Sequence, residues 1–256
     1  MWTHNLNPTI FNLGPLEIRW YGLVYVLGFL LAIFWLRYLS KKGKLKLTYD
    51  QIWDFTFYLM VGVLVGARLF MFVWEPTHFF SHPLDIFKIW QGGMSFHGGF
   101  VGIVLAGWIY CKKKHINFWQ MADFLSVPAI FALALGRIAN FANSELIGKP
   151  FNGNWCVKYS NEDTCRHPNM IYAAAKRFMI FGWLLWLSAK DKFKPGFVFW
   201  NFVFWEGIGR IIVDFFRVDK LYYYLSLGQW MSLIMVLIAG GVFYKYYLQD
   251  WKKLLK

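Results

Sequence analysis

Arginines, a histidine and carboxylates stand where their neighbours are apolar, and these are the groups able to do chemistry. Arg68, Arg137 and Arg210 lie in or at the ends of long apolar runs, and His97 opens another. Glu206, Arg210 and Asp214 recur at i, i+4 and i+8, which is one helix face. The densest polar stretch is GRIANFANSELIG, Gly136–Gly148, which supplies Arg137, Asn140, Asn143, Ser144 and Glu145. An arginine at the centre of a spanning helix costs about 2.5–3.5 kcal/mol on insertion scales. Its planar fork donates two hydrogen bonds to one phosphate, so arginines with a histidine and carboxylates predict a pocket for an anionic headgroup. Each group also has a plainer use. Glu206 can complete an ion ladder, Arg68 can snorkel to the headgroups, and His97 can cap a glycine-rich turn. The polar stretch can be an external loop.

Such groups need spanning helices to position them. The chain has 256 residues, is 58% hydrophobic and 22% aromatic, and has only 16% charged side chains. A soluble domain of this size lacks the interior volume to hide so much apolar surface. Disordered, collagen-like and disulfide-scaffold classes are excluded. A span takes about 20 mostly apolar residues. Trp20–Tyr38, Ile52–Trp74, Phe118–Leu135, Phe197–Phe216 and Leu225–Tyr244 qualify, with Pro128 expected to kink the third of these. Gly98–Tyr110 reaches spanning length only by drawing on residues from Gly92, and Ile171–Ala189 carries Lys176 and Arg177, read as snorkelling from one end. The expectation is an all-α integral membrane protein of about seven transmembrane helices, one polytopic domain over 1–256. Its external loop covers about 138–170. No basic n-region precedes the first run, which is read as a retained helix.

The net charge of +13 sits in short clusters between apolar runs. One side of the seven-span arrangement holds 15 basic residues, among them Lys41, Lys113, Lys192 and Lys253, and the other holds 7. The positive-inside rule then puts the N-terminus in the periplasm and the C-terminus in the cytoplasm. The charge is a fringe against anionic lipid, and no nucleic acid is implied. With this orientation Arg68, Arg137, Arg210, His97 and Tyr21 share the outer half of the bilayer. Cys111 falls at a cytoplasmic helix end, and a Cys156–Cys165 disulfide in the external loop is left open. No metal-ligand spacing or cofactor motif is present. Trp20, Trp74, Trp90 and Trp205 read as interface belt residues.

Four segments resemble, in order, those of the bacterial prolipoprotein diacylglyceryl transferases. GRIANFANSELIG resembles the family signature, IRWYGLVYVLGF (Ile18–Phe29) its first helix, GGMSFHGG (Gly92–Gly99) its His-Gly-Gly element, and GIGRIIVDFFR (Gly207–Arg217) its second arginine segment. The resemblance implies transfer of a diacylglyceryl group from phosphatidylglycerol to the thiol of the lipobox cysteine in a prolipoprotein signal peptide. A thioether forms and glycerol phosphate leaves, in the bacterial inner membrane and without a cofactor. It implies His97, Arg137 and Arg210 as catalytic residues, with Tyr21, Asn140, Glu145 and Gly148 joining the two arginines in phospholipid binding. Asn143, Asp214, Glu206, Gly98 and Gly99 support them. The family has tyrosine at Glu206 and glutamate at Asp214, so Glu206→Tyr and Asp214→Glu are expected to be tolerated. Its His-Pro-x-Gln-x-Tyr-Glu element reads HPNMIYA here, keeping His167, Pro168 and Tyr172. The alternative is a transporter or proton-coupled channel with an outer-leaflet anionic site.

Overall fold

The computed structural model describes residues 2–13, 16–88, 94–160, 162–190 and 192–254. Gly92 and Gly93 of the GGMSFHGG element, and Trp90, lie outside the described residues. Long helices form where the apolar runs predict them: α1 (Trp20–Lys41), α2 (Tyr49–Leu69), α3 (Phe96–Lys113), α4 (Phe118–Ala142), α5 (Asn169–Ala189), α6 (Phe197–Asp214) and α7 (Leu227–Val242). Among the described residues, α1, α4, α5, α2 extended to Val73 and α7 extended to Leu254 are long and apolar enough to cross a membrane. The chain is mostly helical and reads as a multi-pass membrane protein. The other two long helices are compromised in composition: α3 carries Gly98, Gly99, Gly102 and Gly107 and closes on Lys112 and Lys113, while α6 carries Glu206, Arg210 and Asp214.

The chain also contains short strands, which the all-α expectation lacks. β1 (Trp2–Thr3) pairs in parallel with β4 (Val157–Lys158), β2 (Thr9–Leu13) with β3 (Leu16–Arg19), and β5 (Leu221–Tyr222) with β6 (Leu225–Ser226). β1, β4, β5 and β6, two residues each, are too short to show a period-two pattern, and β3 (LEIR) alternates over only four residues. Tyr223 and Tyr224 turn between β5 and β6 with φ of 49° and 69°, the left-handed pair that a two-residue hairpin demands.

The chain divides into two compact units, residues 32–121 and residues 1–31 with 122–256. In the first, α2 and α3 meet along small residues. A Cβ at Gly62 would lie 2.6 Å from the carbonyl oxygen of Gly102, and one at Gly66, Gly98 or Gly102 would come still closer to facing backbone. Spacing of four on each helix keeps these glycines on one seam and lets the backbones touch. The Tyr110 hydroxyl donates to the Gln51 carbonyl at 2.8 Å, and Ile52, Phe55 and Tyr110 are buried. Thr48 and Gln51 cap the start of α2 reciprocally. Arg68 does not snorkel. Its guanidinium donates to the backbone carbonyls of Asp85 (3.0 Å), Ile86 (3.1 Å) and Lys88, so it ties down the turn after α2.

In the second unit, the Asp123 carboxylate of α4 accepts from the amides of Gly196 (2.6 Å) and Phe199 (2.7 Å), capping α6 from outside the helix. α4 runs on past the expected end at Leu135 to Ala142, so GRIANFA is helical and Arg137 and Asn140 ride its last turns. Pro128 is accommodated within it. The connection to α5 begins at Asn143, with Ser144 and Leu146 at φ of 56° and 54°. This connection is ordered by the chain around it. His4 bonds the Phe141 carbonyl at 2.7 Å and the Ser144 hydroxyl at 3.1 Å, and Val157 and Arg166 exchange backbone hydrogen bonds of 2.9 Å. Phe141, Val157, Tyr159 and Met170 form a small core beneath it, and burial pushes the Tyr159 hydroxyl up to about 12.

Cys156 and Cys165 form the disulfide, with Cα atoms 5.6 Å apart, and Cys111 is the free cysteine. Closing so short a loop restricts the unfolded chain by about 2–3 kcal/mol. Alkylation of the unreduced, denatured protein is expected to modify Cys111 alone, and three modified cysteines would contradict the bridge.

Candidate functional site

Asn140, buried near the end of α4, connects the signature residues. Its Oδ1 accepts from Arg137 Nη1 at 3.0 Å, and its Nδ2 donates to the Tyr21 hydroxyl and to Glu145 Oε2, both at 2.6 Å. Glu145 Oε1 accepts from Asn143 Nδ2 at 3.1 Å. One amide thus fixes a guanidinium, a phenol and a carboxylate at once, which is the satisfied network that buried polar groups require. Helical geometry makes it: Arg137 and Asn140 are i, i+3 on α4, and the left-handed turn at Ser144 swings Glu145 back.

Beside this network a narrow cleft of about 20 Å³ opens within the second unit. Arg137 enters from α4. Asn169, Ala173, Lys176 and Arg177, at i, i+4, i+7 and i+8, come from one face of α5. Arg210, Val213 and Asp214 come from α6, and Arg217 from just beyond it. The lining holds five cations against one carboxylate. Asp214 Oδ2 lies 3.4 Å from Arg210 Nε, and Asp219 Oδ1 lies 3.2 Å from Arg217 Nη2. Burial raises the proton affinity of the Asp219 carboxyl, against the pull of Arg217. With Asp219 and Glu206, which pair with Arg217 and with Lys176 and Arg177 from outside the lining, three carboxylates face the five cations, and the remaining surplus of positive charge is tolerable when an anion completes it.

Glu206 departs from the expected ladder on α6. Arg210 and Asp214 do pair, but Glu206 turns to α5, where Lys176 Nζ lies 2.9 Å from Oε2, and Arg177 Nε and Nη2 lie 3.1 and 2.5 Å from Oε1. Lys176 and Arg177 are therefore buried ion-pair partners and not snorkelling residues. Removing one member of a buried pair leaves the other uncompensated, at about 3–5 kcal/mol. Glu206→Tyr, expected from the resemblance to be harmless, is now expected to lower the melting temperature sharply or prevent accumulation in the membrane. Wild-type melting of that variant in detergent would contradict the pairing.

The remaining expected residues fall as follows. Gly148 pairs with Arg217 across an isolated bridge and sits so close to His167 that its Cβ would lie 2.8 Å from the His167 Cβ. Lys149 N donates to the Phe216 carbonyl at 2.8 Å, so this contact fastens the end of the signature to the end of α6. His167 stacks on Phe151 at 3.9 Å, bonds the Tyr172 hydroxyl at 3.2 Å, and is held below its ordinary pKa by burial. His97, Gly98 and Gly99 belong to the other unit. His97 is in the first turn of α3, 6.5 Å from the Phe70 ring by centroids, and the cap there is Ser95, whose Oγ accepts from Gly98 N at 3.3 Å. Gly98 is needed for the seam with α2, whereas a Cβ at Gly99 makes ordinary 3.6 Å contacts.

Asn169, Lys176, Arg177, Arg217 and Gly228 are not among the expected site residues. A Cβ at Gly228 would lie 2.8 Å from Asp214 Oδ2 and 2.9 Å from Arg210 Nη2, so glycine there makes room for the ion pair. The signal for Lys176 and Arg177 lay in the sequence: two bases and one acid, midway along consecutive apolar helices joined by a short turn, are mutual partners. Asn169 carried no such signal.

The sequence profile of the family described as "Prolipoprotein diacylglyceryl transferase" matches residues 8–245. A protein of Geobacter sulfurreducens named phosphatidylglycerol–prolipoprotein diacylglyceryl transferase is 37% identical over 92% of this chain and 93% of its own length. Proteins of the same name from Rickettsia africae and Dechloromonas aromatica are each 37% identical, over 92% and 91% of this chain and 95% and 92% of their own. The matched span contains the Asn140 network and every residue lining the cleft. By that match, the chain belongs to the prolipoprotein diacylglyceryl transferase family.

Proposed function

We propose that this chain transfers the diacylglyceryl group of phosphatidylglycerol to the thiol of the lipobox cysteine of a prolipoprotein. The observation that carries this reading is the cleft, where five cations, two of them on helices matching the family's arginine segments, converge on one narrow opening. Arg137 and Arg210 clamp the lipid phosphate. The thiolate sulfur attacks the diacylglycerol carbon bonded to the phosphate oxygen. A carbon–sulfur bond forms, the carbon–oxygen bond breaks, and its electron pair leaves on glycerol phosphate. The guanidiniums stabilise that developing charge. Asn140, Tyr21 and Glu145 orient Arg137 and the headgroup, Asn143 steadies Glu145, Asp214 holds Arg210, and Gly148 keeps the two segments in register.

The thiol must lose a proton, since at an ordinary pKa of about 8.5 only ~3% is ionised at pH 7. His97 is proposed as the base, on its chemistry and the family resemblance. All seven long helices are proposed to span the bacterial inner membrane, with the N-terminus periplasmic, the C-terminus cytoplasmic and the disulfide-bearing connection outside, where oxidation is favoured. Periplasm-active reporters fused after Lys88 or Lys158 should be active, and those after Lys44, Lys113 or Lys192 silent; the reverse pattern overturns the orientation.

The reaction itself is tested with purified protein, phosphatidylglycerol and a lipobox peptide. A mass increase of one diacylglyceryl group is expected on the cysteine peptide and none on its serine counterpart. No thioether product overturns the proposal.

A further inference from the structure

Three polar side chains lining the cleft carry buried atoms without partners: Asn169, Arg177 and, at its Nε, Arg217. Asn169 is 1% exposed, and neither end of its amide has a hydrogen-bond partner. Arg177 is 5% exposed and its Nη1 is likewise unpartnered, although Nε and Nη2 are engaged by Glu206. An amide with both ends unpaired is costly at this depth, and each orphaned group demands an explanation. Because both ends are open, the conclusion is the same for either orientation of the amide.

Asn169 and Arg177 differ in chemistry and in depth. Arg177 offers only a donor, whereas Asn169 offers a donor and an acceptor. They are eight residues apart on α5, about 12 Å along the helix, with Asn169 in its first turn. The donor-only orphan suits phosphate oxygen, alongside the arginines. The amide suits a group that both gives and takes a hydrogen bond, which is a hydroxyl. An ammonium headgroup fits poorly, because it cannot accept from the amide and meets a lining in which cations outnumber carboxylates.

We propose that Asn169 is a specificity-determining residue that reads the hydroxyls of the lipid's head alcohol, while Arg177 Nη1 adds a donor to the phosphate. This rests on the transferase reading above. It assigns Asn169 a role in selecting the glycerol head over phospholipids that carry the same phosphate.

The test compares turnover of phosphatidylglycerol with turnover of phosphatidylpropanol, which keeps the phosphate and lacks both head hydroxyls. The wild-type chain should prefer phosphatidylglycerol by roughly 10- to 100-fold in kcat/KM, as expected for buried hydrogen bonds left unmade. Asn169→Ala should lose that preference to within about threefold, falling on phosphatidylglycerol and matching the wild type on phosphatidylpropanol. Asn169→Ser, which keeps a small hydroxyl, should retain part of it and serves if the alanine variant does not fold. No preference in the wild type overturns the proposal, as does an unchanged preference in Asn169→Ala. Equal losses on both lipids in folded variants also overturn it, since a structural role alone then suffices. A wild-type chain that turns over neither lipid overturns the transferase reading itself.

Discussion

Arg137→Lys and Arg210→Lys are each expected to lower turnover by about 10²–10³-fold while the protein still inserts and folds. Lysine keeps the charge but loses the planar fork. At Arg137 the loss is compounded, because Nη1 is already committed to Asn140 at 3.0 Å, and a lysine ammonium cannot hold Asn140 and still present a planar pair of donors to phosphate. At Arg210 the Asp214 carboxylate, 3.4 Å from Nε, sets the orientation of the group, so Asp214→Asn should also be harmful and Asp214→Glu mild. Arg68→Lys provides a contrast. Arg68 holds three backbone carbonyls in the other unit, so its replacement should cost stability, read as a lower melting temperature. Full activity in Arg137→Lys or Arg210→Lys, measured on detergent-purified protein, would falsify the phosphate clamp.

His97→Gln is expected to lower activity by ~10²–10⁴-fold, the usual contribution of a positioned general base. Glutamine keeps a hydrogen-bonding side chain of similar reach but cannot titrate. Raising the pH toward the thiol pKa supplies thiolate from solution and should recover part of the loss. The pH–rate profile is the decisive reading, because a merely structural histidine does not move it. Near-normal activity with an unchanged profile would leave thiolate formation to the arginines.

Much of this molecule was legible before its coordinates, and the reasons differ by feature. Apolar runs located the long helices because a bilayer imposes a length and a composition that few other structures satisfy. The end of α4 lies beyond the expected Leu135 because Arg137 ends the apolar run without ending the helix. The backbone stays helical through Ala142, with neither glycine nor proline after Gly136 to stop it. The Asn140 network joins residues the signature already grouped, so its members were foreseeable although its geometry was not. Glu206 and Arg68 were misread for one reason: their partners are distant in sequence, and one set consists of backbone carbonyls that carry no sequence signal. Asn169 was invisible because its significance is the lack of a partner, which only packing reveals. Two of the strand pairs escape because two-residue strands carry no period, and β2–β3 because TIFNL does not alternate.

The fate of the lipid headgroup tests the transfer most directly. Purified protein is given phosphatidylglycerol labelled in its head glycerol together with a lipobox cysteine peptide. Label is expected to appear as glycerol phosphate, one for each thioether formed, and to fall by about 10²–10³-fold in Arg137→Lys. Label that stays in intact lipid, as a transporter would leave it, or that emerges as free glycerol, would contradict attack at the carbon bonded to the phosphate oxygen.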